Sequence, residues 1–379
     1  MNAVLSFFSL FLYFCLKDKN NFTRIFVFLE ALFLIIISAI RNKAVGNDTY
    51  RYIMLLEYAQ YDSWDFIFNN LGKAYFNPDN SLKDPGYMIF EKLISCFTIE
   101  QIPFLFIVAF ITIVSFVYFV KSLANSKIQI LLSFILFIVF VYSNFPNQTI
   151  RQSLSFAIIC ISYVKLRNQE DIKFILLVLI ASFFHKSALI LLLFYFIYKY
   201  VYSKIILFAT PFLFCLILMM PSFILPFISH LGDVYSNYFT NNYYMGSNKP
   251  INILLFLGLM YFFIFVSFYL KKSDIDTYKM ELTSVSFCVI TSALILINPS
   301  LFRLSLYFFI WFGLLLPELI NCWNNKKMFY RVLFLILAFR IFTSQDNYSF
   351  YWEHKELHDS YYSYNNNLNI NINDKLFIS

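Results

Sequence analysis

The chain has 379 residues, of which 60% are apolar, 22% aromatic and 13% charged, with a net charge of +7. A soluble fold of this length has too little interior for so much apolar surface, and a disordered chain would be rich in charge and poor in aromatic residues. The 29 Lys and Arg residues lie scattered between apolar runs and form no basic stripe for nucleic acid. The composition therefore predicts an integral membrane protein.

Apolar runs recur along the chain and predict an all-α, polytopic fold with about 12 transmembrane helices. Several runs are shorter than the roughly 20 residues that cross a bilayer upright. We expect one transmembrane domain at residues 1–343, with a long loop at residues 41–101, and a polar tail at residues 344–379. The runs cover residues 1–16, 22–40, 102–120, 128–143, 153–166, 174–184, 188–200, 205–220, 251–270, 282–297, 304–320 and 329–343.

Basic residues indicate the orientation of these helices. Sixteen Lys and Arg residues lie on one set of alternate connections, whereas the shorter connections on the other side hold four. The positive-inside rule places the sixteen in the cytoplasm, so both termini and the loop at residues 41–101 face outward. Residues 174–200 must then form two short helices that meet at His185, because a single helix would invert every later connection.

Basic residues at four outer boundaries run against this trend, and two interpretations stay open. Boundary cations commonly extend to lipid headgroups. Alternatively, three arginines at one depth line an outward-facing cavity for anions, since a guanidinium binds phosphate through two parallel hydrogen bonds. The four residues are Arg41, Arg151, Lys186 and Arg303.

The long outer loop contains two segments with turn signals. Gly46 predicts a turn with positive φ, after which Asp48 either caps the next helix or acts as a catalytic carboxylate. Residues 83–87 predict a turn before an amphipathic helix at residues 88–97.

Histidines and cysteines give weak signals of chemistry. His185 lies within an apolar stretch and is either a packing residue or a functional one. His354 and His358 stand four residues apart in the tail, but two ligands make no metal site. The six cysteines are isolated, and no acidic triad is evident, so we expect no metal and no cofactor.

Five short motifs follow one another between about residue 24 and residue 320. They are Arg41 with Val45-Gly46-Asn47-Asp48-Thr49 and Tyr52, then Asp84-Pro85-Gly86-Tyr87, Arg151-Gln152-Ser153-Leu154, Phe184-His185-Lys186-Ser187-Ala188, and Arg303 before an apolar run. In order and spacing they resemble the motifs of the EpsG-like family of polysaccharide polymerases, which overlaps the Wzy-type O-antigen and capsule polymerases. The family pattern also has Glu where this chain has Asp84, which keeps a carboxylate there.

The resemblance implies a multi-pass glycosyltransferase of the bacterial inner membrane with a GT-C-like arrangement of helices. Such an enzyme polymerises lipid-linked repeat units into O-antigen or a similar polysaccharide. It would transfer, with inversion and at the periplasmic face, a glycan carried on undecaprenyl diphosphate. The implied partners are this lipid-linked oligosaccharide, the lipid bilayer and a chain-length regulator protein, and nucleic acid is not among them.

The resemblance also implies roles for individual residues. Arg151 and Arg303, followed by Arg41, would bind the donor diphosphate, where negative charge builds as it leaves. His185 or Asp48 would be the base for the acceptor hydroxyl. Weaker candidates for contacts with the glycan are Arg51, Asp84, Tyr87, Gln152 and Lys186, and the aromatic residues Tyr58, Tyr61, Trp64, Tyr75 and Tyr87 are candidates for stacking on sugars.

Other classes of function compete with polymerisation. A transporter or flippase of lipid-linked glycan would also need outward cations, but the two halves of the sequence show no pseudo-symmetry. An O-acetyltransferase with His185 as base would need an acyl donor from the cytoplasm, where the connections are short and rich in Lys. A ligase that moves glycan onto another acceptor is chemically adjacent and stays open.

Overall fold

The computed structural model of the protein describes residues 1–46, 48–76, 84–219, 251–271, 275–343 and 348–353, which are mainly helical. The first six helices are α1 (Asn2–Leu16), α2 (Phe22–Ala39), α3 (Thr49–Ala59), α4 (Trp64–Phe76), α5 (Pro85–Ser95) and α6 (Gln101–Leu123). The next five are α7 (Lys127–Leu136), α8 (Ile150–Arg167), α9 (Asp171–Phe184), α10 (Ile190–Tyr200) and α11 (Ser203–Met219). The last four are α12 (Ile251–Lys271), α13 (Lys279–Ala293), α14 (Phe312–Asn321) and α15 (Lys326–Thr343).

Shorter helical pieces extend or precede some of these helices. A π-helix continues α7, and 3₁₀ segments precede α10, follow α13 and lead into α14. Their bounds are Phe137–Tyr142, Lys186–Leu189, Leu294–Leu296, Pro299–Tyr307 and Phe309–Trp311. No β-strand occurs within the described residues, so the all-α prediction is confirmed for them.

Each of the twelve predicted apolar runs contains helix, but the helices differ in length. By length and composition, four can cross a membrane: Phe22–Ala39, Gln101–Leu123, Asn252–Leu270 and Lys279–Leu296. A fifth is added if Ser300–Tyr307 and Phe309–Asn321, bent by 41°, form one broken span. The described part of the chain is thus a helical membrane protein, and twelve crossings stay a prediction.

The helix break predicted at His185 is confirmed. Helix α9 ends at Phe184, and His185 has extended backbone angles of φ −160° and ψ 120°. A short 3₁₀ segment then leads into α10. The break matters for the site because it leaves polar side chains of residues 185–187 at the end of two apolar helices.

Aromatic side chains fill the main core, where α8 packs against α6 and α9, and α2 packs against α6. The fully buried indole of Trp311 meets the rings of Phe119 and Tyr163 edge-on, with centroids 5.1 and 5.0 Å away. The hydroxyls of Thr112 and Ser153 lie 2.7 Å apart and link α6 to α8. Hydroxyl pairs of this kind stabilise contacts between helices in membranes.

The described part of the loop at residues 41–101 contains three helices, α3 to α5. The predicted helix at residues 88–97 begins three residues earlier, at Pro85, because a proline fixes φ near the helical value and needs no N–H partner in the first turn. Lys92 of this helix is buried and donates from Nζ to the carbonyl oxygens of Ala59 and Gln60, both at 3.1 Å. A cation there satisfies carbonyls at the C-terminus of α3 and holds α5 against it.

Residues 348–353, part of the predicted tail, pack against the end of α2. The N–H of Asn42 donates to the carbonyl of Ser349 at 2.9 Å, and the N–H of Tyr351 donates to the carbonyl of Ile40 at 2.8 Å. The hydroxyl of Tyr348 donates to the carbonyl of Ile37 at 2.6 Å. This part of the tail is therefore anchored to the helical domain, and residues 354–379, with His354 and His358, lie outside the described residues.

Candidate functional site

Asp84 and Arg151 form an ion pair between α5 and α8. Arg151 Nη1 lies 2.6 Å from Asp84 Oδ2, and both side chains are largely shielded from solvent. Asp84 directly precedes α5 and has a φ of 54°, in the left-handed region that Asp tolerates better than most residues. A residue held in such a conformation by a charged partner is typical of functional sites.

Gly86 allows the first turn of α5 to touch the end of α9. A Cβ atom at this position would lie 3.1 Å from the carbonyl carbon and oxygen of Phe183 and 3.2 Å from its Cβ. A larger residue would push α5 away from α9. The close contact therefore brings Asp84 near the segment that follows Phe184.

Tyr52 of α3 provides a second contact for Arg151. Arg151 Nε donates to the Tyr52 hydroxyl at 3.2 Å, and the guanidinium also lies over the Tyr52 ring, 5.7 Å from its centroid. The rings of Tyr52 and Tyr87 meet edge-on at 5.4 Å. The first two sequence motifs thus converge on the arginine of the third.

His185, Ser187 and Tyr307 form a chain of hydrogen bonds beside this ion pair. His185 Nδ1 lies 2.5 Å from Ser187 Oγ, which lies 2.8 Å from the Tyr307 hydroxyl. Gln152 Nε2 donates to Ser187 Oγ at 3.5 Å and to the carbonyl oxygen of Arg303 at 3.2 Å. Gln152 therefore connects the His185 segment to the 3₁₀ segment that carries Arg303.

His185 is half-buried, and its surroundings favour the neutral imidazole. Burial lowers the pKa of its imidazole to about 4; the charge of Asp84 opposes this shift, and the charges of Arg151 and Arg303 add to it. Gln152 follows Arg151 directly and contacts both Ser187 and the carbonyl of Arg303. The segments that carry Asp84, Arg151, His185 and Arg303 therefore meet in one site.

Arg303 is half-buried and belongs to the same cluster. Within the described ranges, no residue forms a hydrogen bond or ion pair with its guanidinium, whereas Arg151 is paired with Asp84. A part-buried cation without a protein partner is suited to an anionic ligand.

Arg41 lies in a different environment from the other two arginines. It is fully buried, and its Nη1 donates to the carbonyl and hydroxyl oxygens of Ser38 at 2.6 and 3.0 Å. Burial lowers the pKa of Arg41 to about 10, and the neighbouring Tyr142 and Tyr348 oppose this shift. Its Nε and Nη2 are buried without a hydrogen-bond partner among the described residues, so a role of Arg41 in binding an anion stays a prediction.

The loop after α2 has the turn predicted at Gly46, whose φ is 83°. Asn147, which precedes α8, holds this loop: its carbonyl accepts from the Thr49 hydroxyl at 3.0 Å, and its side-chain oxygen accepts from the Ser38 hydroxyl at 2.9 Å. Asp48 precedes α3 but its side chain makes no capping hydrogen bond. Asp48 is half-buried, and its negative charge adds to the rise that burial causes in the pKa of Tyr52. Asp48 therefore lies near the site.

The weaker glycan candidates occupy varied positions. Tyr87 is only 2% exposed, so it cannot offer its ring to a sugar, in contrast to Tyr61, which is 80% exposed. Lys186 Nζ lies over the ring of Tyr75, 5.4 Å from its centroid. Arg51 is half-buried, and its positive charge opposes the rise that burial causes in the pKa of Glu91.

Three residues of this region carry no assigned role in the sequence analysis. Ser187 belongs to the motif at residues 184–188, where His185 is the more conspicuous residue. Tyr307 follows Arg303 by about one helical turn, but a single tyrosine does not stand out in a chain with 28 Tyr. Glu91 is buried, and burial raises its pKa to about 8. Its position one turn after Tyr87 in an amphipathic helix was the signal that could have found it.

No metal centre is formed by the residues that the structure describes, since none of their His, Cys, Asp and Glu side chains gather in groups of three or more. Searches of curated proteins and of solved structures gave no match. The EpsG family model, by contrast, matches residues 24–366. That range contains all the motifs that meet around Arg151 and His185, and because it spans most of the chain, the protein belongs to the EpsG family.

Proposed function

We propose that the protein is a membrane glycosyltransferase that joins lipid-linked oligosaccharide repeat units into a surface polysaccharide. The observation that supports it most is that the segments carrying Asp84, Arg151, His185 and Arg303, from four distant motifs, meet in one site. Two guanidinium groups beside a neutral imidazole suit an anionic ligand such as a diphosphate. Membership of the EpsG family supports a polysaccharide polymerase.

The proposed reaction transfers a growing glycan from undecaprenyl diphosphate to a hydroxyl at the non-reducing end of a new lipid-linked repeat unit. The hydroxyl oxygen forms a bond with the anomeric carbon, and the bond from that carbon to the diphosphate oxygen breaks with inversion. The diphosphate leaves with the bonding electron pair, and the hydroxyl proton passes to a base. Asp48 and His185 are the two sequence-derived candidates for that base.

The arginines stabilise the charge that develops on the leaving diphosphate. Arg303 is the first contact because its guanidinium is unpaired within the described ranges. Arg151 is the second, and Asp84 and Tyr52 hold it in place when no substrate is bound. Cations fixed beside developing charge lower the barrier because they need no reorganisation during the reaction.

The proposed setting is the bacterial inner membrane, with about twelve crossings in a GT-C-like arrangement and the site at the periplasmic face. The bias of sixteen basic residues against four supports this orientation. The substrate partner is an undecaprenyl-diphosphate-linked oligosaccharide, and a chain-length regulator is a further proposed partner.

The orientation predicts that Ser63, an exposed residue before α4, faces away from the cytoplasm. A single cysteine placed there, in a background without the six native cysteines, should react with a membrane-impermeant thiol reagent in whole cells. A cysteine at Ser360 in the tail should react equally, and one at Lys326 should react only after lysis. Protection of Ser63→Cys and Ser360→Cys until lysis would overturn the outer location of the site.

Deletion of the gene tests the proposed activity directly. We expect the deletion strain to display single repeat units at the cell surface, and the complemented strain to display a polymer ladder. A strain without any surface repeat unit would indicate a flippase instead. The purified protein in liposomes with lipid-linked repeat units should also form the ladder, whereas an Arg303→Ala variant should not.

A further inference from the structure

The backbone beside His185 determines which nitrogen of its ring carries a proton. The N–H of Ser187 points at His185 Nδ1, at a distance of 3.3 Å. A backbone N–H can only donate, so Nδ1 must accept through its lone pair. A neutral imidazole has one N–H, and in this position that hydrogen must be on Nε2.

The hydroxyl groups of Ser187 and Tyr307 next to the ring favour the same Nε2–H tautomer. Ser187 Oγ lies 2.5 Å from Nδ1. With Nδ1 unprotonated, the hydroxyl donates to it and shares its single lone pair with the more distant Ser187 N–H. Ser187 Oγ is then free to accept from the Tyr307 hydroxyl at 2.8 Å and from Gln152 Nε2 at 3.5 Å. Each hydrogen bond in this series is therefore donated in the direction of His185.

The opposite edge of the imidazole is available to a ligand. No described residue accepts a hydrogen bond from Nε2, and the side chain is half-buried rather than sealed in the core. The charged groups that act on the ring are Asp84, Arg151 and Arg303. The two arginines and the burial keep it neutral at pH 7.

We propose that His185 is a neutral hydrogen-bond donor that binds an anionic oxygen of the donor diphosphate through its Nε2–H, and that Ser187 and Tyr307 are positioning residues that hold this tautomer. The proposal rests on the proposed function. It removes His185 from the role of base, because Nδ1 is occupied and Nε2 already carries a hydrogen. Asp48 is then the base candidate for the acceptor hydroxyl.

The tautomer can be measured without any substrate. The protein is labelled with ¹⁵N-histidine and placed in lipid bilayers, and the His185 signals are assigned by their loss in a His185→Gln variant. At pH 7 we expect one protonated nitrogen, Nε2, and one unprotonated nitrogen, Nδ1. An Nδ1–H tautomer or a doubly protonated ring at pH 7 would overturn the proposal, whatever the activity of the protein.

Ser187 variants test the positioning role with the same signals. Ser187→Ala removes one of the two donors to Nδ1, so we expect a measurable fraction of Nδ1–H tautomer. Ser187→Thr restores the hydroxyl and should restore the single tautomer. A purely structural role for Ser187 would leave the tautomer unchanged in both variants, and that result would remove Ser187 from the proposal.

Polymer formation by His185 variants distinguishes three roles for His185: a hydrogen-bond donor, a base and a packing residue. A Gln amide places an N–H near the position of Nε2, so His185→Gln should retain activity within about tenfold, whereas His185→Leu, which fills similar space without a donor, should lose about a hundredfold. Equal inactivity of both variants would indicate a base, and full activity of His185→Leu would indicate packing. Either result contradicts the proposal.

The two measurements also separate this inference from the proposed function. If the wild-type protein forms no polymer but has the Nε2–H tautomer, the polymerase function fails while the ring assignment stands. If it forms polymer but has the Nδ1–H tautomer, only the inference about His185 fails.

Discussion

Replacement of Arg303 by lysine should reduce polymer formation about a hundredfold, nearly as much as replacement by alanine. Lysine keeps the positive charge but cannot present two parallel N–H groups to a diphosphate. Loss of one charge-assisted contact in the transition state costs on the order of 3 kcal/mol, which corresponds to that factor in rate. The half-buried position of Arg303, without a described protein partner, is the structural reason to expect so large an effect.

Arg151→Lys should behave similarly but has an additional cause. Lysine can still pair with Asp84, but it cannot donate to Asp84 and Tyr52 from two edges of one planar group. The readout for both variants is the polymer ladder in a complemented deletion strain, with protein amount checked by immunoblot. Arg24→Lys is the matched control, because Arg24 is exposed and lies on the predicted cytoplasmic side. Normal ladders from Arg151→Lys and Arg303→Lys would show that the reaction needs no two-point contact from these arginines.

Replacement of Gly46 by alanine should destabilise the protein by at least about 2 kcal/mol and abolish the ladder. The φ of 83° costs an L-residue about 1–2 kcal/mol, and the added Cβ would lie 2.2 Å from the carbonyl oxygen of Asn147. The loop would have to leave Asn147, and Asp48 would move with it. The measurement is the thermal unfolding midpoint in detergent, together with polymer formation.

Gly72→Ala provides the control for Gly46. Gly72 lies within α4, and a Cβ atom there would meet nothing within 4 Å. Alanine is favoured over glycine inside a helix by roughly 0.5–1 kcal/mol, so this variant should be as stable as the wild type or slightly more stable. An equal loss of stability in both variants would show that the contact of Gly46 with Asn147 is not the cause.

Elements governed by local chemistry could be predicted from the sequence. The apolar runs are helical, the break at His185 occurs where polar residues interrupt an apolar stretch, and Gly46 adopts positive φ. The helices of the loop at residues 41–101 are less clear from the sequence, because half-buried amphipathic segments carry a weaker signal than continuous apolar runs. The amphipathic pattern predicts a start of α5 at residue 88, which is three residues late, because Asp84 takes the left-handed conformation and Pro85 already begins the helix.

Features that depend on tertiary contacts could not be predicted in the same way. Arg41 resembles Arg151 and Arg303 in its position beside a span, yet it is fully buried and has Tyr348, more than 300 positions later, as a neighbour. Tyr87 belongs to a motif but packs against Tyr52. Tyr307 enters the site through Ser187, a contact between segments 120 positions apart that no local pattern encodes.

The contact between the end of α2 and residues 348–353 has a consequence for biosynthesis. Hydrogen bonds such as that from Asn42 Nδ2 to the carbonyl of Glu353 join positions 311 apart. Since translation proceeds at about 5–20 residues per second, Arg41 emerges from the ribosome roughly 15–60 s before the segment that covers it. During that interval the end of α2 lacks these hydrogen-bond partners. Termination of the chain before residue 348 would remove these contacts and leave the end of α2, with Arg41, without the segment that packs against it.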